Sequence, residues 1–286
     1  KRRSLPNDAR CQFFGYLQSR KQVDRVLALP EERVRGAGQS HQKKLKGQIS
    51  ISNVTFRYSS SGAIALSQVN LDVKTQEFIC LAGETNSGKT TLMSLAAGLY
   101  QTSVGSISLD GIDIRQIAID DLRQSITYAN GASEHFYGTI YQNFRLASPD
   151  ITEEETIRAI YNMGLKRELE AMERGIHTRL SEAFRASMSA STLRALALAR
   201  SFARNSSLYM FNNPSVGLDR RRQTALKVCL ADLNAAEKTV ILATNDEDLM
   251  PLATRVVFMQ QGQIVIDDRG PDGLRKVKAI LARNRS

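Results

Sequence analysis

Apolar and polar positions alternate in short blocks, and the block lengths predict strands and helices taking turns along the chain. Residues 10–29 set Phe13, Leu17, Val23, Val26, Leu27 and Leu29 among Arg20, Lys21, Asp24 and Arg25, the pattern of a helix with one apolar face. Pro30 follows, and residues 31–48 are polar, basic and glycine-containing, as a linker is. Short β patterns come next: Ile49–Tyr58, a Ser59-Ser60-Ser61-Gly62 turn, then Ala65–Val73. The run Phe78–Ala82 is apolar at every position, as a strand buried on both faces is. From about 133 to 206 the pattern is helical, most clearly over Glu153–Asn162, Lys166–Glu173 and Ser191–Ala203. Leu208–Phe211, Val240–Thr244 and Arg255–Met259 read as further strands, with a helical stretch at 221–235. Such alternation predicts an α/β fold with a mainly parallel sheet.

Composition adds little until it is divided by position. The 286 residues are 42% hydrophobic and 24% charged, which is ordinary globular chemistry and excludes a disordered chain. No apolar run approaches the ~20 residues of a membrane-spanning helix, and Lys1-Arg2-Arg3 leads into polar residues rather than the apolar stretch of an export signal. Three scattered cysteines, Cys11, Cys80 and Cys229, exclude a disulfide framework or a paired-cysteine metal site and fit a reducing compartment. The net charge is +10, but residues 1–47 hold 12 Lys/Arg against 4 Asp/Glu and residues 271–286 hold 5 against 1, leaving the middle slightly acidic. Basic ends around an acidic centre argue against a nucleic-acid footprint and suit a position close to anionic lipid.

Gly83-Glu84-Thr85-Asn86-Ser87-Gly88-Lys89-Thr90 fits G-x-x-x-x-G-K-[ST] in full, and Thr91 continues into an apolar helical stretch. A buried strand before the motif and a helix after it are the context the motif requires. Glycines let successive backbone N–H groups curl inward, and the helix N-terminus adds positive dipole. Lys89 supplies a charge for the β- and γ-phosphates, and the Thr90 hydroxyl is a candidate Mg²⁺ ligand. These residues predict a nucleotide site.

Seven further segments, in order, resemble the nucleotide-binding domain of an ATP-binding cassette (ABC) exporter over roughly residues 10–268. Val54–Tyr58 resembles the first strand, which makes Tyr58 the adenine-stacking aromatic. Gly105–Gly111 resembles the hairpin after the phosphate-loop helix, and Asp121–Tyr128 the approach to the Q-loop. Tyr137–Phe144 resembles the exporter segment SGTIRENI, and Ala195–Arg200 the helix after the signature motif. Pro214–Asp219 resembles the end of Walker B with the D-loop, and Val256–Val265 the closing hairpin. The resemblance implies a RecA-like P-loop core with a mixed, mainly parallel sheet, an antiparallel β subdomain and a helical subdomain. It implies that residues 1–47 are a basic helix and linker from a transmembrane domain, 48–270 the cassette (helical subdomain about 133–206) and 271–286 a basic C-terminal tail. Arg25–Glu32 resembles the join to a last transmembrane helix, so the chain reads as the cytoplasmic part of a longer polypeptide, cut near its membrane exit.

Where the resemblance requires catalytic groups, the sequence departs from it. The Mg²⁺-ordering Asp and the water-polarising Glu fall on Asn212 and Asn213, the Q-loop glutamine on Gly131 and the switch histidine on Asn245. The LSGGQ signature falls on Met188-Ser189-Ala190-Ser191-Thr192, where Ser189 alone matches. An asparagine carries no charge and takes no proton, and β-carbons at 190 and 191 stand where backbone should approach phosphate. The implied function is a cassette at the cytoplasmic face of the cell (inner) membrane that binds ATP and Mg²⁺ but hydrolyses ATP poorly or not at all. It would close on a second nucleotide-binding domain, identical or not, and bias its transmembrane domain. The alternative is an active ATPase with non-standard catalytic residues, for which Glu134 is a nearby carboxylate. A third class, a soluble cassette acting on DNA or ribosomes, is disfavoured by the exporter-like segment around Gly138-Thr139-Ile140.

Overall fold

The computed structural model describes residues 45–59, 62–131 and 135–283. The expected helix at 10–29 lies outside the described residues. Two sheets organise the rest. Strands β1 (Ile49–Phe56), β2 (Leu66–Val73), β4 (Val104–Leu109) and β5 (Ile112–Asp113) form an antiparallel sheet in the order β2-β1-β4-β5. The larger sheet takes β3 (Phe78–Gly83), β6 (Ile126–Ala129), β7 (Leu208–Asn212), β8 (Thr239–Ala243), β9 (Arg255–Gln260) and β10 (Gln263–Arg269) in the order β10-β9-β3-β8-β7-β6. All its neighbours are parallel except the β9–β10 hairpin, so the expected mixed, mainly parallel sheet is present.

Strand β3 explains the layering. Its residues are all buried, and side chains along a strand point alternately to opposite faces. Ile79 and Leu81 join a core with the antiparallel sheet and with Leu92, Met93 and Leu95 of helix α1 (Lys89–Ala96). Phe78 points the other way, into a core with Tyr209, Phe211 and the helices. Those helices are α3 (Ile140–Ala147), α4 (Glu153–Asn162), α5 (Lys166–Glu170), α6 (Glu182–Ser187), α7 (Ala190–Phe202) and α8 (Arg220–Ala235); α2 (Ile119–Ser125) precedes β6. Thr139 and Thr152 open α3 and α4 with capping boxes, each pairing its hydroxyl and backbone N–H with Gln142 or Glu155. The helix expected over Lys166–Glu173 stops at Glu170, and a 3₁₀ turn at Gly175–His177 follows.

The expected tail at 271–286 needs correcting. Gly270–Arg283 is helix α9, with Val277 and Leu281 buried against Cys80, Ala82, Val256 and Phe258. Its basic side chains dominated the sequence, whereas the apolar stripe that docks the helix is only a few residues wide. Lys276 and Lys278 are held by Asp268 and Glu247. Cys80 and Cys229 are buried with their thiols pushed up to about 12, which removes them as nucleophiles. No described helix is long and apolar enough to cross a membrane.

Packing of α9 makes a stability prediction. Leu281→Ala is expected to lower the unfolding free energy by about 2 kcal/mol, through lost burial and a cavity. A solvated tail would show a change within about 0.5 kcal/mol in the same denaturant titration.

Candidate functional site

Parallel strands place their C-terminal ends along one edge, and loops from those ends build the site. Gly83 ends β3, Asn212 ends β7 and Asn245 lies two residues past β8. Between Gly83 and α1 the backbone folds back tightly. Gly83 has φ +151°, and a Cβ there would lie 2.3 Å from the Met259 carbonyl oxygen. Gly88 has φ +99°, and its Cβ would meet Leu66 at 2.7 Å and the Ala65 oxygen at 2.9 Å. Only glycine fits either position. Helix α1 starts at Lys89 with Gly88 as its N-cap and no side-chain cap. Its first N–H groups are therefore offered to an outside acceptor, which the helix dipole makes an anion.

Lys89 is buried inside this loop. Its ammonium donates to the carbonyl oxygens of Gly83 (2.8 Å) and Glu84 (2.6 Å) and to Ser87 Oγ (2.9 Å). Burial pushes its pKa down, and the charge of Glu84 opposes that fall. Tyr58, Asn86, Ser87, Gly88, Lys89, Thr90 and Thr91 line one cleft of about 490 Å³, within the usual size of a small-molecule site. Thr85 is exposed, and Gln260 Nε2 donates to the Glu84 carboxylate at 3.4 Å. Tyr58 is 58% exposed. Its hydroxyl meets Thr91 Oγ1 at 2.9 Å, and its ring stands edge-on to Phe56 and Tyr100, with centroids 5.1 and 5.5 Å away. Tyr100, which buttresses the Tyr58 ring, belongs to no motif in the sequence.

The four departures occupy distinct surroundings. Asn212 is buried; its Nδ2 donates to Thr90 Oγ1 at 2.9 Å, while its Oδ1 has no protein partner. The Tyr128 phenol is raised by burial, an effect that its hydrogen bond with Ser94 Oγ at 3.2 Å only partly opposes. A buried acceptor without a partner next to a helix-terminal hydroxyl fits a metal-bound water, so Thr90 and Asn212 are compatible with Mg²⁺ held largely by a nucleotide's phosphates. No cluster of three or more His, Cys, Asp or Glu side chains suited to a metal occurs among the described residues. Asn213 is exposed, with φ +48°. Gly131 has φ +82°, and its carbonyl accepts from Arg194 Nη1, while Arg194 Nη2 donates to the Asn213 oxygen at 2.8 Å. Arg194, on α7, thus ties together the two loops where a Q-loop glutamine and a catalytic carboxylate were expected. The side chain of Asn245 is bonded to Gly83. Glu134 lies outside the described residues.

The signature-like segment does not line this cleft. Ser189 caps α7, accepting from the Thr192 N–H at 3.1 Å. Ser191 Oγ donates to Asp219 at 2.7 Å and accepts from the Asp219 N–H at 3.0 Å. Arg222, unremarked in the sequence, joins Ser191, Thr192, Asp219 and Glu168. Met188 packs against the helical core and Ala190 is the first residue of α7. Ser191 therefore uses its side chain to bind the D-loop position, a contact that glycine cannot make.

That contact is measurable. The Ser191 hydroxyl, followed by the backbone N–H and guanidinium of Arg222, holds the Asp219 carboxyl down at about 2, against 3.8 for an unperturbed group. A depressed carboxylate pKa stabilises the fold above the unfolded value, and this contribution is lost as pH falls through the folded one. Ser191→Gly is expected to move the Asp219 titration up towards 3.8, as read by carboxyl-carbon NMR; an unmoved titration would refute the link.

Residues 66–216 match the ABC transporter family. The chain is 27% identical over 223 residues to the ATP-dependent lipid A-core flippase of Neisseria gonorrhoeae, covering 78% of this chain and 36% of that protein. It is 28% identical over 218 residues to the lactococcin transport/processing ATP-binding protein LcnC-like of Lactococcus lactis, covering 76% and 30%. A probable ABC transporter ATP-binding/permease protein of Haemophilus influenzae is 27% identical over 250 residues, covering 87% and 45%. The chain thus spans less than half the length of these relatives. Its fold matches that of a bacterial Atm1-family ABC exporter with ATP bound, with TM-score 0.81 and 19% identity, over 94% of this chain and 47% of that one. The phosphate loop, the strand order around it and the matched span agree: this chain belongs to the ABC transporter family.

Proposed function

We propose that this chain is the ATP-binding cassette of a membrane exporter, one that binds ATP with Mg²⁺ but hydrolyses it poorly or not at all. The carrying observation is a contrast within one strand-end cluster. The phosphate loop keeps its two constrained glycines, Lys89 and an uncapped α1, while Asn212 at the end of β7 and Asn213 after it stand where a carboxylate pair would be needed. Losing a general base alone costs on the order of 10²–10⁴ in rate. A neutral Asn212 also orders a divalent ion less strongly than a carboxylate. These losses act on one transition state and so do not simply multiply. Binding depends on backbone N–H groups, Lys89, Thr90 and Tyr58, all of which line the cleft or its rim. Mg²⁺, when bound, would neutralise phosphate charge, with Thr90 as ligand and Asn212 behind it.

One relative is by name an ATP-binding/permease protein, and the proposed setting is the cytoplasmic face of a membrane beside a transmembrane domain. ATP would act by closing this cassette on a second one. Ser191 and its ties to Asp219 change the face that a partner's nucleotide would meet, which favours slow or regulatory transport over rapid turnover. Nucleic acid is not among the proposed partners.

Two measurements test the reading. The purified chain is expected to bind ATP in the micromolar range, to lose that binding in Lys89→Ala and to release negligible phosphate; brisk release by the wild-type chain would end the proposal. Asn213→Glu alone is expected to leave phosphate release near background, because Asn212, Gly131 and Asn245 remain. Full restoration by that single change would show that one residue, not four, sets the block.

A further inference from the structure

Asn245 spends both halves of its amide on a single residue. Its Oδ1 accepts from the Gly83 N–H at 3.1 Å, and its Nδ2 donates to the Gly83 carbonyl at 2.7 Å. Chemistry fixes the orientation, since a flipped amide would set NH₂ against N–H and oxygen against oxygen. Gly83 is where the phosphate loop leaves the sheet, in a backbone conformation that Met259 closes to any side chain. The same carbonyl also accepts from Lys89. Beside it, the Thr244 N–H donates to the Leu81 oxygen at 3.1 Å, so the segment bearing Asn245 is anchored to β3. The backbone of one residue therefore joins the end of β3, the start of the loop, the loop lysine and the residue at the switch position.

We propose that Asn245 is a positioning residue for the phosphate loop, its amide clamping the N–H and C=O of Gly83 so that the N–H groups that follow face the phosphates. The inference rests on reading Gly83–Thr90 as a nucleotide site, and it gives the asparagine a task instead of leaving it a lost histidine. Among side chains of this length, only a primary amide presents a donor and an acceptor side by side to one residue's N–H and C=O. Aspartate offers two acceptors, and the two nitrogens of an imidazole diverge. Holding the loop before the ligand arrives removes part of the ordering cost of binding.

In the 286-residue chain, Asn245→Ala and Asn245→Asp are each expected to weaken ATP and inorganic tripolyphosphate alike by about tenfold, the effect of one or two ordinary hydrogen bonds. Asn245→His is expected to lose affinity without gaining turnover. The aspartate variant carries a readout that lost packing would not move. Ionised, it sets an oxygen against the Gly83 carbonyl; protonated, it regains the donor and acceptor of asparagine. The charged groups nearby are Lys89 and Glu84 on the loop and Asp246 next in the chain. Its affinity relative to wild type should therefore recover as pH falls towards the carboxylate range, while the Asn245→Ala ratio stays flat. Exchange of the Gly83 amide hydrogen, slow in the wild type and fast in Asn245→Ala, reads the clamp without any nucleotide. Undiminished tripolyphosphate affinity in both variants, or an aspartate deficit that ignores pH, overturns the proposal. A wild-type chain that binds neither ligand overturns the nucleotide reading instead, and the exchange rates alone then decide the clamp.

Discussion

A buried ammonium ringed by the carbonyls of its own loop is the interaction on which this site depends. Lys89 reaches the oxygens of Gly83 and Glu84 and the hydroxyl of Ser87 within a single turn of chain. An unpaired buried cation would be costly, so those bonds hold the loop curled around the place where phosphate would sit. The curl then imposes the glycines at 83 and 88, because neighbouring backbone closes in where a Cβ would stand. It also leaves α1 without a side-chain cap, so that a ligand can complete the helix terminus.

Around this loop, residues at the positions where catalytic groups were expected are engaged in holding structure. Asn212 bonds Thr90, Arg194 bridges the Gly131 and Asn213 carbonyls, and Asn245 bonds both the N–H and the C=O of Gly83. At the signature position Ser191 and Thr192 turn towards Asp219 and Arg222. Each is a local network of neutral amides, backbone and paired charges that joins segments distant in the chain, although Asn212 Oδ1, Arg194 Nε and Arg222 Nε stay without a protein partner. The site is thus poor in acid–base groups and rich in contacts that fix geometry.

Much of this could be read from the chain before its fold was known. The all-apolar run at 78–82 pointed to a central strand, because a strand covered on both faces buries every one of its side chains. The phosphate-loop motif pointed to the loop whose residues Asn86 to Thr91 line one cleft. The asparagines were legible as absences only, since a sequence shows what a residue cannot do and not what it touches. Arg194, Arg222 and Tyr100 act through neighbours far away in the chain, and no spacing rule announces them. Helix α9 was missed for a related reason: Val277 and Leu281 are few beside the basic residues that flank them, and their burial depends on a surface made by β3 and β9.

The separation of grip from cleavage is tested most directly by identifying the nucleotide that the protein holds after long incubation. The chain would be incubated with Mg²⁺ and ATP labelled at the terminal phosphate, separated from free ligand, and its bound nucleotide extracted and resolved. Intact ATP recovered in near-stoichiometric amount is the expected result. Bound ADP with the label released as phosphate would contradict it, and would mean that a cutting group stands in this fold outside the positions named above.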